Sequence, residues 1–400
     1  MHEDTVYADL GVPTVVNASG TKTRIGGSRI RPEAARAMRE ATDTFVRLSD
    51  LQARAGDLVT DVTGAEAGYV TSGASAALAL AAAACIAGDD LGAMARLPDT
   101  EGLPDEIVMP RSHRTGYDHA LRAAGATIVD VGANDHHLGT GSENVEPWEI
   151  ADAVGPDTAA VAYVQKEYTR PPLETVVEVA HDAGVPVVVD AAAELPPTEN
   201  LSRFVEAGAD LVAFSGGKAI RGPQTTGVLA GREDLVESVA LQHLDTHAAD
   251  AVWDPPSRLF DVDDLPGVPR QGIGRSMKVG KEELVGLIRA LELFVEEDRD
   301  TRYAEWRERA ERVRERLADA EGLDATLHES DVNVAPEVVV TVDAAAGVAA
   351  TDLVRALREE DPRVFVGADD LPESRFSVNP MCLTDEEADY AAERILANLR

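Results

Sequence analysis

Two side chains of this sequence, those of Asp190 and Lys218, are suited to joint chemistry on one cofactor. Asp190 ends the apolar run 185–189, which predicts a buried strand. Lys218 follows a second such run, 211–214, and a glycine-rich loop from Ser215 that we expect to need unusual backbone angles. This arrangement suits pyridoxal 5′-phosphate (PLP), because the lysine amine can form the Schiff base and the carboxylate can keep the pyridine nitrogen protonated.

The alternatives for Lys218 are a phosphate-binding loop of the Walker type and an ordinary surface lysine. The Walker motif requires glycine where Val212 stands and serine or threonine where Ala219 stands, so we reject it. The chain contains only five lysines among its 37 basic residues. Because arginine cannot supply a neutral amine, the few lysines that remain favour a chemical role.

The composition indicates a folded acidic protein. The 400 residues carry 72 acidic and 37 basic side chains, a formal net charge of −35, and 44% of them are hydrophobic, which excludes an acidic disordered tail. This charge disfavours nucleic acid and anionic membranes, and the dispersed acids and scarce lysine indicate a halophilic protein. Two distant cysteines, no N-terminal signal sequence and no membrane-length apolar run predict a cytoplasmic location.

Strand and helix patterns alternate from residue 67 to residue 230, which is typical of a mostly parallel sheet flanked by helices. We predict an N-terminal arm and helix over 1–50, a large domain over 51–290 and a small C-terminal domain over 291–400. The polar, glycine-rich arm is either a surface loop or a segment lying across an anionic ligand. Basic residues at 274–281 occupy what we predict to be the first turn of a long helix, which continues into a charged, solvated helix.

Polar groups follow two further predicted strands. Thr71 to Ser75 open an alanine-rich helix, where they either cap the helix or form an anion cup of free backbone N–H groups. His113 follows the strand 106–109, and it either stacks on a pyridine ring or makes a local hydrogen bond at a helix start. The adjacent His136 and His137 lack a usual ligand spacing, so we expect no metal site.

Three motifs together resemble the family of bacterial selenocysteine synthase (L-seryl-tRNA selenium transferase) and D-glucosaminate-6-phosphate ammonia-lyase. They are Val-Asp-Ala-Ala-Ala-Glu at 189–194, Phe-Ser-Gly-Gly-Lys-Ala-Ile-Arg-Gly-Pro-Gln at 214–224 and Met-Lys-Val-Gly-Lys-Glu-Glu at 277–283. The resemblance covers residues 8–395 and implies a fold-type I PLP-dependent enzyme. Such an α/β protein has a large domain with a mostly parallel seven-stranded sheet and a smaller C-terminal α/β domain.

The same resemblance implies roles for individual residues. It makes Lys218 the Schiff-base lysine and Asp190 the partner of the pyridine nitrogen, both of them catalytic. The implied cofactor-binding residues, with the phosphate cup first, are Ser72, Gly73, Ala74, Ser215, His113, Asp190 and Lys218. The residues expected to bind substrate or its anionic groups are Arg275, Lys278 and Arg375. Because fold-type I sites lie at a dimer interface, we expect a homodimer or a higher homo-oligomer in which Arg275 and Lys278 face an anion at the neighbouring site.

The expected reaction is α,β-elimination of a β-hydroxyl group from an amino acid or amino sugar acid, as in an ammonia-lyase, through the imine at Lys218. A seryl-tRNA selenium transferase and a class V-type aminotransferase are the alternatives. Selenocysteine synthases carry an additional N-terminal tRNA-binding domain, for which we expect no room before residue 67, so we predict no tRNA partner. The Ala-Ala-Ala-Glu and Gly-Pro-Gln motifs are also closer to the lyase branch.

Overall fold

A computed structural model describes residues 5–133, 145–166, 169–329 and 334–399. The chain divides into two compact units: a large unit, Ile30–Glu296, and a small unit that combines Met1–Arg29 with Glu297–Arg400. The N-terminal arm belongs to the small unit because its strand Val15–Ala18 pairs in parallel with Arg363–Val366. This part of the arm is therefore a buried strand, and the surface loop that we considered is wrong for it.

Strands and helices alternate along the large unit, as the sequence predicted. The strands, numbered in chain order, are β1 Val15–Ala18, β2 Ala67–Thr71, β3 Glu106–Pro110, β4 Thr127–Val131, β5 Thr158–Val164, β6 Val187–Asp190, β7 Leu211–Ser215, β8 Gly227–Gly231, β9 Leu323–His328, β10 Glu337–Val342, β11 Arg363–Val366 and β12 Arg375–Val378. The helices are α1 Val6–Asp9, α2 Pro32–Ala41, α3 Leu48–Thr63, α4 Ala74–Ala87, α5 Leu91–Arg96, α6 Asp118–Ala123, α7 Pro147–Ala153, α8 Leu173–Asp182, α9 Asn200–Glu206, α10 Glu233–His243, α11 Lys281–Glu296, α12 Arg299–Leu317, α13 Ala350–Leu357 and α14 Asp385–Ala397. No helix within the described ranges is long and apolar enough to cross a bilayer.

The large unit is built on a seven-stranded sheet of order β2-β8-β7-β6-β5-β3-β4. Neighbouring strands from β7 to β4 are parallel, and β8 runs antiparallel to both β7 and β2. Every strand of this sheet except β8 therefore ends at the same edge, where open α/β sheets bind their ligands. The predicted mostly parallel seven-stranded sheet is confirmed.

Side chains of the sheet alternate between two cores, one on each face. Along β7, Leu211 and Ala213 enter one core, whereas Val212 and Phe214 enter the other. This alternation follows from the two-residue period of a strand. Helix α4 packs in the first core, and its small alanines let it approach the sheet so closely that nearly the whole helix is buried.

The small unit combines the β1–β11 pair with an antiparallel sheet of order β12-β10-β9. The charged stretch after α11 is not one solvated helix. Helix α12 begins anew after Asp298, whose side chain accepts the N–H groups of Asp300 and Thr301. It buries Trp306, Ala310, Val313 and Leu317, so the expectation of a solvated helix is wrong for this face.

Candidate active site

The loop after β7, which carries the candidate Schiff-base lysine, is shaped by close backbone contacts. A Cβ atom at Gly216 would lie 2.2 Å from Oγ1 of Thr226, and one at Gly217 would lie 2.5 Å from the Cα atom of Gln224. Close packing therefore requires both glycines, and neither has the unusual backbone angle that we expected. The left-handed residue of this loop is instead Arg221, with a φ of 60°.

Hydrogen bonds hold this lysine loop in its conformation. The N–H of Arg221 donates to the carbonyl of Lys218 at 3.1 Å. Arg31 is buried, and its Nε donates to the carbonyl of Ile220 at 3.0 Å, while its own N–H donates to the carbonyl of Arg221. A non-glycine residue in the left-handed region costs on the order of 1–3 kcal/mol and persists only where its surroundings hold it. The half-buried Lys218 side chain therefore starts from a firmly held backbone.

Asp190 ends β6, the strand beside β7, and lies in register with Ala213. Its Oδ1 accepts the N–H of Ala192 at 3.0 Å, which orients the carboxylate at the strand end. Asp190 is partly exposed, whereas the three residues before it in β6 are buried. Because neighbouring strands are about 4.8 Å apart, Asp190 and the lysine loop occupy adjacent positions at the same edge.

Three strand ends meet in one row at Gly227, which is the register partner of Thr71 on one side and of Ser215 on the other. A Cβ atom at Gly227 would lie 2.4 Å from the carbonyl carbon of Gly73 and 2.7 Å from the nitrogen of Ala74. The absence of a side chain therefore lets the first turn of α4 lie against β8. This packing brings the predicted phosphate cup to the strand ends beside the lysine loop.

The N-terminus of α4 has the properties of an anion cup. Its N-cap residue is Gly73, with a φ of 127° and no side-chain capping hydrogen bond. The alternative of ordinary capping by serine or threonine is therefore wrong, and the Thr71 hydroxyl donates instead to the Gly73 carbonyl at 2.9 Å. Ser72, Gly73 and Ala74 are partly exposed, and the first N–H groups of a helix bind anions together with its dipole. These residues fit a phosphate-bearing cofactor, with Asp190 and Lys218 at neighbouring strand ends.

His113 ends a short turn after β3 and is 3% exposed. Its Nε2 donates to the carbonyl of Arg170 at 3.0 Å, and its ring meets that of Tyr163 edge to face, with centroids 4.8 Å apart. Burial lowers the pKa of His113 to about 4, so the imidazole is neutral at neutral pH. Its Nδ1 is buried and has no hydrogen-bond partner among the described residues. The hydrogen bond is not the local one that we considered, and stacking on a cofactor ring stays a prediction.

The basic segment before α11 differs from its predicted conformation. Residues Ile273–Met277 form a 3-10 turn, and α11 begins only at Lys281. The prediction that Arg275 and Lys278 occupy the first turn of this helix is therefore wrong. Arg275 donates from one guanidinium nitrogen to the carbonyl of His243 at 3.0 Å, so it is anchored in its own chain. Lys278 is exposed, and the anion that these residues would face stays a prediction.

Arg375 begins β12 in the small unit, whereas Lys218 belongs to the large unit. Its Nε is buried and has no hydrogen-bond partner within the described ranges. A buried guanidinium nitrogen without an acceptor suits an anionic ligand, and the role of Arg375 in binding a substrate carboxylate stays a prediction.

Pattern reasoning missed a second lysine at the same edge of the sheet. Lys166 follows β5, and its Nζ lies 2.5 Å from Oε1 of Glu194 in the loop after β6. The scarcity of lysine was a signal that could have found it. In the part of the chain that the structure describes, no group of three or more His, Cys, Asp or Glu residues is placed to hold a metal. His136 and His137 lie outside the described residues.

Comparison with known proteins gives matches along the whole chain. The family model for aminotransferase class V matches residues 111–368. The D-glucosaminate-6-phosphate ammonia lyase of Salmonella typhimurium is 32% identical, and the match covers 98% of this chain and 96% of that protein. A 5′-C-glycyluridine monooxygenase-decarboxylase of a Streptomyces species is 33% identical, with coverage of 97% and 90%. The L-seryl-tRNA(Sec) selenium transferase of Solidesulfovibrio magneticus is 28% identical, over 56% of this chain and 50% of its own length.

The fold is shared with a solved structure of D-glucosaminate-6-phosphate ammonia-lyase. That chain is 30% identical and superimposes with a TM-score of 0.81, over 99% of this chain and 98% of its own length. The predicted fold-type I architecture and the resemblance to the ammonia-lyase and selenium transferase group are confirmed. The relatives depend on PLP, and the predicted cofactor is confirmed with them. The chain belongs to the aminotransferase class V family of PLP-dependent enzymes.

Proposed function

We propose that this protein is a PLP-dependent lyase that eliminates a β-hydroxyl group from an amino acid or amino sugar acid and releases ammonia. The observation that carries the proposal is the similarity along the whole chain to D-glucosaminate-6-phosphate ammonia lyase. The residues at the sheet edge support it, because a carboxylate, a lysine and an anion cup lie on neighbouring strand ends.

Each residue of this edge has a role that follows from its chemistry. PLP, when bound, supplies an electron-withdrawing ring that lowers the cost of removing the proton from the substrate α-carbon. The Asp190 carboxylate holds a proton on the ring nitrogen, and the α4 N-terminus binds the phosphate. Lys218, once the substrate amine has replaced it, removes the proton from Cα as a general base. The hydroxyl then leaves as water, and the released enamine hydrolyses to a keto acid and ammonia.

The alternatives have less support from this chain. The selenium transferases match only about half of it, and its net charge of −35 repels tRNA phosphates. An aminotransferase would transfer the amino group to a second keto acid and release no ammonia. The Streptomyces relative is named for oxygenation and decarboxylation, so oxygen consumption is a further outcome to measure.

We also propose that the enzyme is a homodimer, supported by an apolar patch formed by Phe45 and Val252. Phe45 is 98% exposed and Val252 is 72% exposed. The patch is continuous because Arg47 donates to both the carbonyl and the carboxylate of Asp254, at 2.8 and 2.9 Å. Large apolar side chains grouped on a charged surface favour a protein interface. By the same proposal, Lys278 of each copy faces an anion bound at the site of the other.

A cytoplasmic location in a high-salt cell completes the proposal. Its support is the acidic, lysine-poor composition together with the two cysteines, Cys85 and Cys382, which are free thiols. Free cysteines are usual in a reducing compartment.

The proposed function is tested with purified protein in molar KCl. Wild type should show the absorbance of bound PLP, which borohydride fixes covalently to Lys218. The substitution Lys218→Arg should abolish that fixation, whereas Lys281→Arg, which makes the same change at a lysine of α11, should preserve it. β-Hydroxy amino acids and amino sugar acids, with and without a phosphate, are then scored for ammonia, keto acid and oxygen uptake. Transamination without ammonia release, or oxygen-dependent turnover, would contradict the lyase.

A further inference from the structure

A second lysine stands at the candidate site, held by a carboxylate. Nζ of Lys166 lies 2.5 Å from Oε1 of Glu194, and the two side chains are 32% and 15% exposed. The Glu194 backbone is itself fixed, since its N–H donates to the carbonyl of Ala191 at 3.1 Å and its carbonyl accepts the amide of Asn200 at 2.7 Å. The ammonium of Lys166 is therefore held at a defined place in the loop after β5.

The position of this pair relates it to Asp190. Val164 at the end of β5 is the register partner of Asp190, and the N–H of Gln165 donates to the Asp190 carbonyl at 3.0 Å. Lys166 is the next residue, so it approaches Asp190 from the β5 side, whereas Lys218 approaches it from the β7 side. Strand ends two positions apart are separated by about 10 Å. Two long lysine side chains from these ends can therefore converge on one small molecule above Asp190.

A simple clamp between two loops does not account for the choice of lysine. Arginine binds a carboxylate through two parallel hydrogen bonds and is the better clamp. The chain uses arginine in comparable partly buried pairs, such as Arg302 with Glu297 and Arg394 with Glu360. It has replaced lysine almost everywhere else, keeping five among 37 basic residues. A lysine at Lys166 thus indicates a task that arginine cannot perform, which is to give up a proton.

We propose, on the basis of the proposed elimination, that Lys166 is the general acid that protonates the departing β-hydroxyl group. Lys218 removes the proton from Cα, and the electron pair of that bond forms the Cα=Cβ double bond. The Cβ–O bond breaks with its electron pair on oxygen, which takes one proton from the Lys166 ammonium and leaves as water. The neutral Lys166 amine regains its proton from solvent, which reaches this partly exposed side chain. Glu194 orients the ammonium and is a positioning residue.

The test separates proton donation from the ion pair. Lys166→Arg keeps a cation opposite Glu194 but removes the transferable proton. With the hydroxylated substrate identified by the panel, elimination should fall by about 10²–10⁴-fold, the range typical of a general acid. With the β-chloro analogue the rate should stay within a few-fold of wild type, because chloride leaves without a proton. Exchange of the Cα hydrogen in D₂O should also persist, because it requires only Lys218.

Two readouts without turnover show that the variant is intact. The denaturation midpoint of the cofactor-free protein and the absorbance of bound PLP should match wild type in Lys166→Arg, and Lys281→Arg serves as the matched control. Equal losses on the hydroxyl and chloro substrates, or full activity of Lys166→Arg on both, would overturn the role of Lys166 while leaving the lyase proposal standing. If wild type releases ammonia from no substrate, the proposed function fails and this role fails with it.

Discussion

Substituting alanine for Gly227 tests whether the N-terminus of α4 holds the cofactor phosphate. Gly227 lies between Thr71 and Ser215, and an added Cβ would stand 2.4 Å from the carbonyl carbon of Gly73 and 2.7 Å from the nitrogen of Ala74. Ordinary contacts begin at 3.4 Å. The peptide between Gly73 and Ala74 must therefore move by about 1 Å to accept the methyl group, a shift typical of overpacked sites.

A displacement of this size removes a hydrogen bond between a backbone N–H and a charged phosphate. Such a bond contributes roughly 1.5–3 kcal/mol. Since 1.4 kcal/mol corresponds to a tenfold change, the affinity of Gly227→Ala for PLP should fall by about 10–150-fold. Overpacking should also lower the free energy of unfolding of the cofactor-free protein by about 1–3 kcal/mol.

Gly68→Ala is the matched control for this steric change. Gly68 lies in the middle of β2, where an added Cβ would stand 2.4 Å from Cβ of Val59, at the packing of β2 on α3. The control should lose comparable stability but keep its affinity for PLP. Urea unfolding of the cofactor-free proteins and equilibrium titration with PLP, both in molar KCl, measure the two quantities. If both variants lose the same affinity, or if Gly227→Ala binds like wild type, the cup is not the seat of the phosphate.

Three further predictions concern the remaining residues of the site. Asp190→Asn should keep the absorbance of bound PLP but lower kcat by about 10²–10⁴-fold, since the amide cannot hold the proton on the ring nitrogen; an unchanged kcat would contradict this role. Because burial lowers the pKa of His113 from an ordinary value of about 6.5 to about 4, its neutral form stabilises the fold fully above pH 6.5, and this stability is lost as the pH falls towards 4. The loss of unfolding free energy between pH 7 and pH 4.5 should therefore be about 2–3 kcal/mol smaller in His113→Gln, and equal losses would rule out the neutral histidine. Inactive Lys218→Ala and weakened Lys278→Ala subunits should regain activity as mixed dimers; mixed dimers that form without recovery would refute the shared site.

Local patterns in the sequence determined the sheet and the catalytic pair. Apolar runs that end in Asp190 and in the loop before Lys218 predict two buried strands, and alternation with helices makes the strands parallel. Parallel neighbours end at one edge, so the two side chains come together without any further information. The scarcity of lysine added a chemical reason for Lys218 that needs no structure.

Contacts between segments distant in the chain were decided only by tertiary structure. Strand β8 lies between β2 and β7, and this order brings the cup at Gly73 beside the lysine loop. The need for glycine at Gly216 and Gly227 comes from neighbouring backbone and side-chain atoms and not from their own φ angles, so no local pattern reveals it. The same holds for the pairing of Lys166 with Glu194 and for the arm strand β1, which pairs with β11. Sequence periodicity reports which face of an element is buried, whereas the identity of its neighbour depends on how the whole chain packs.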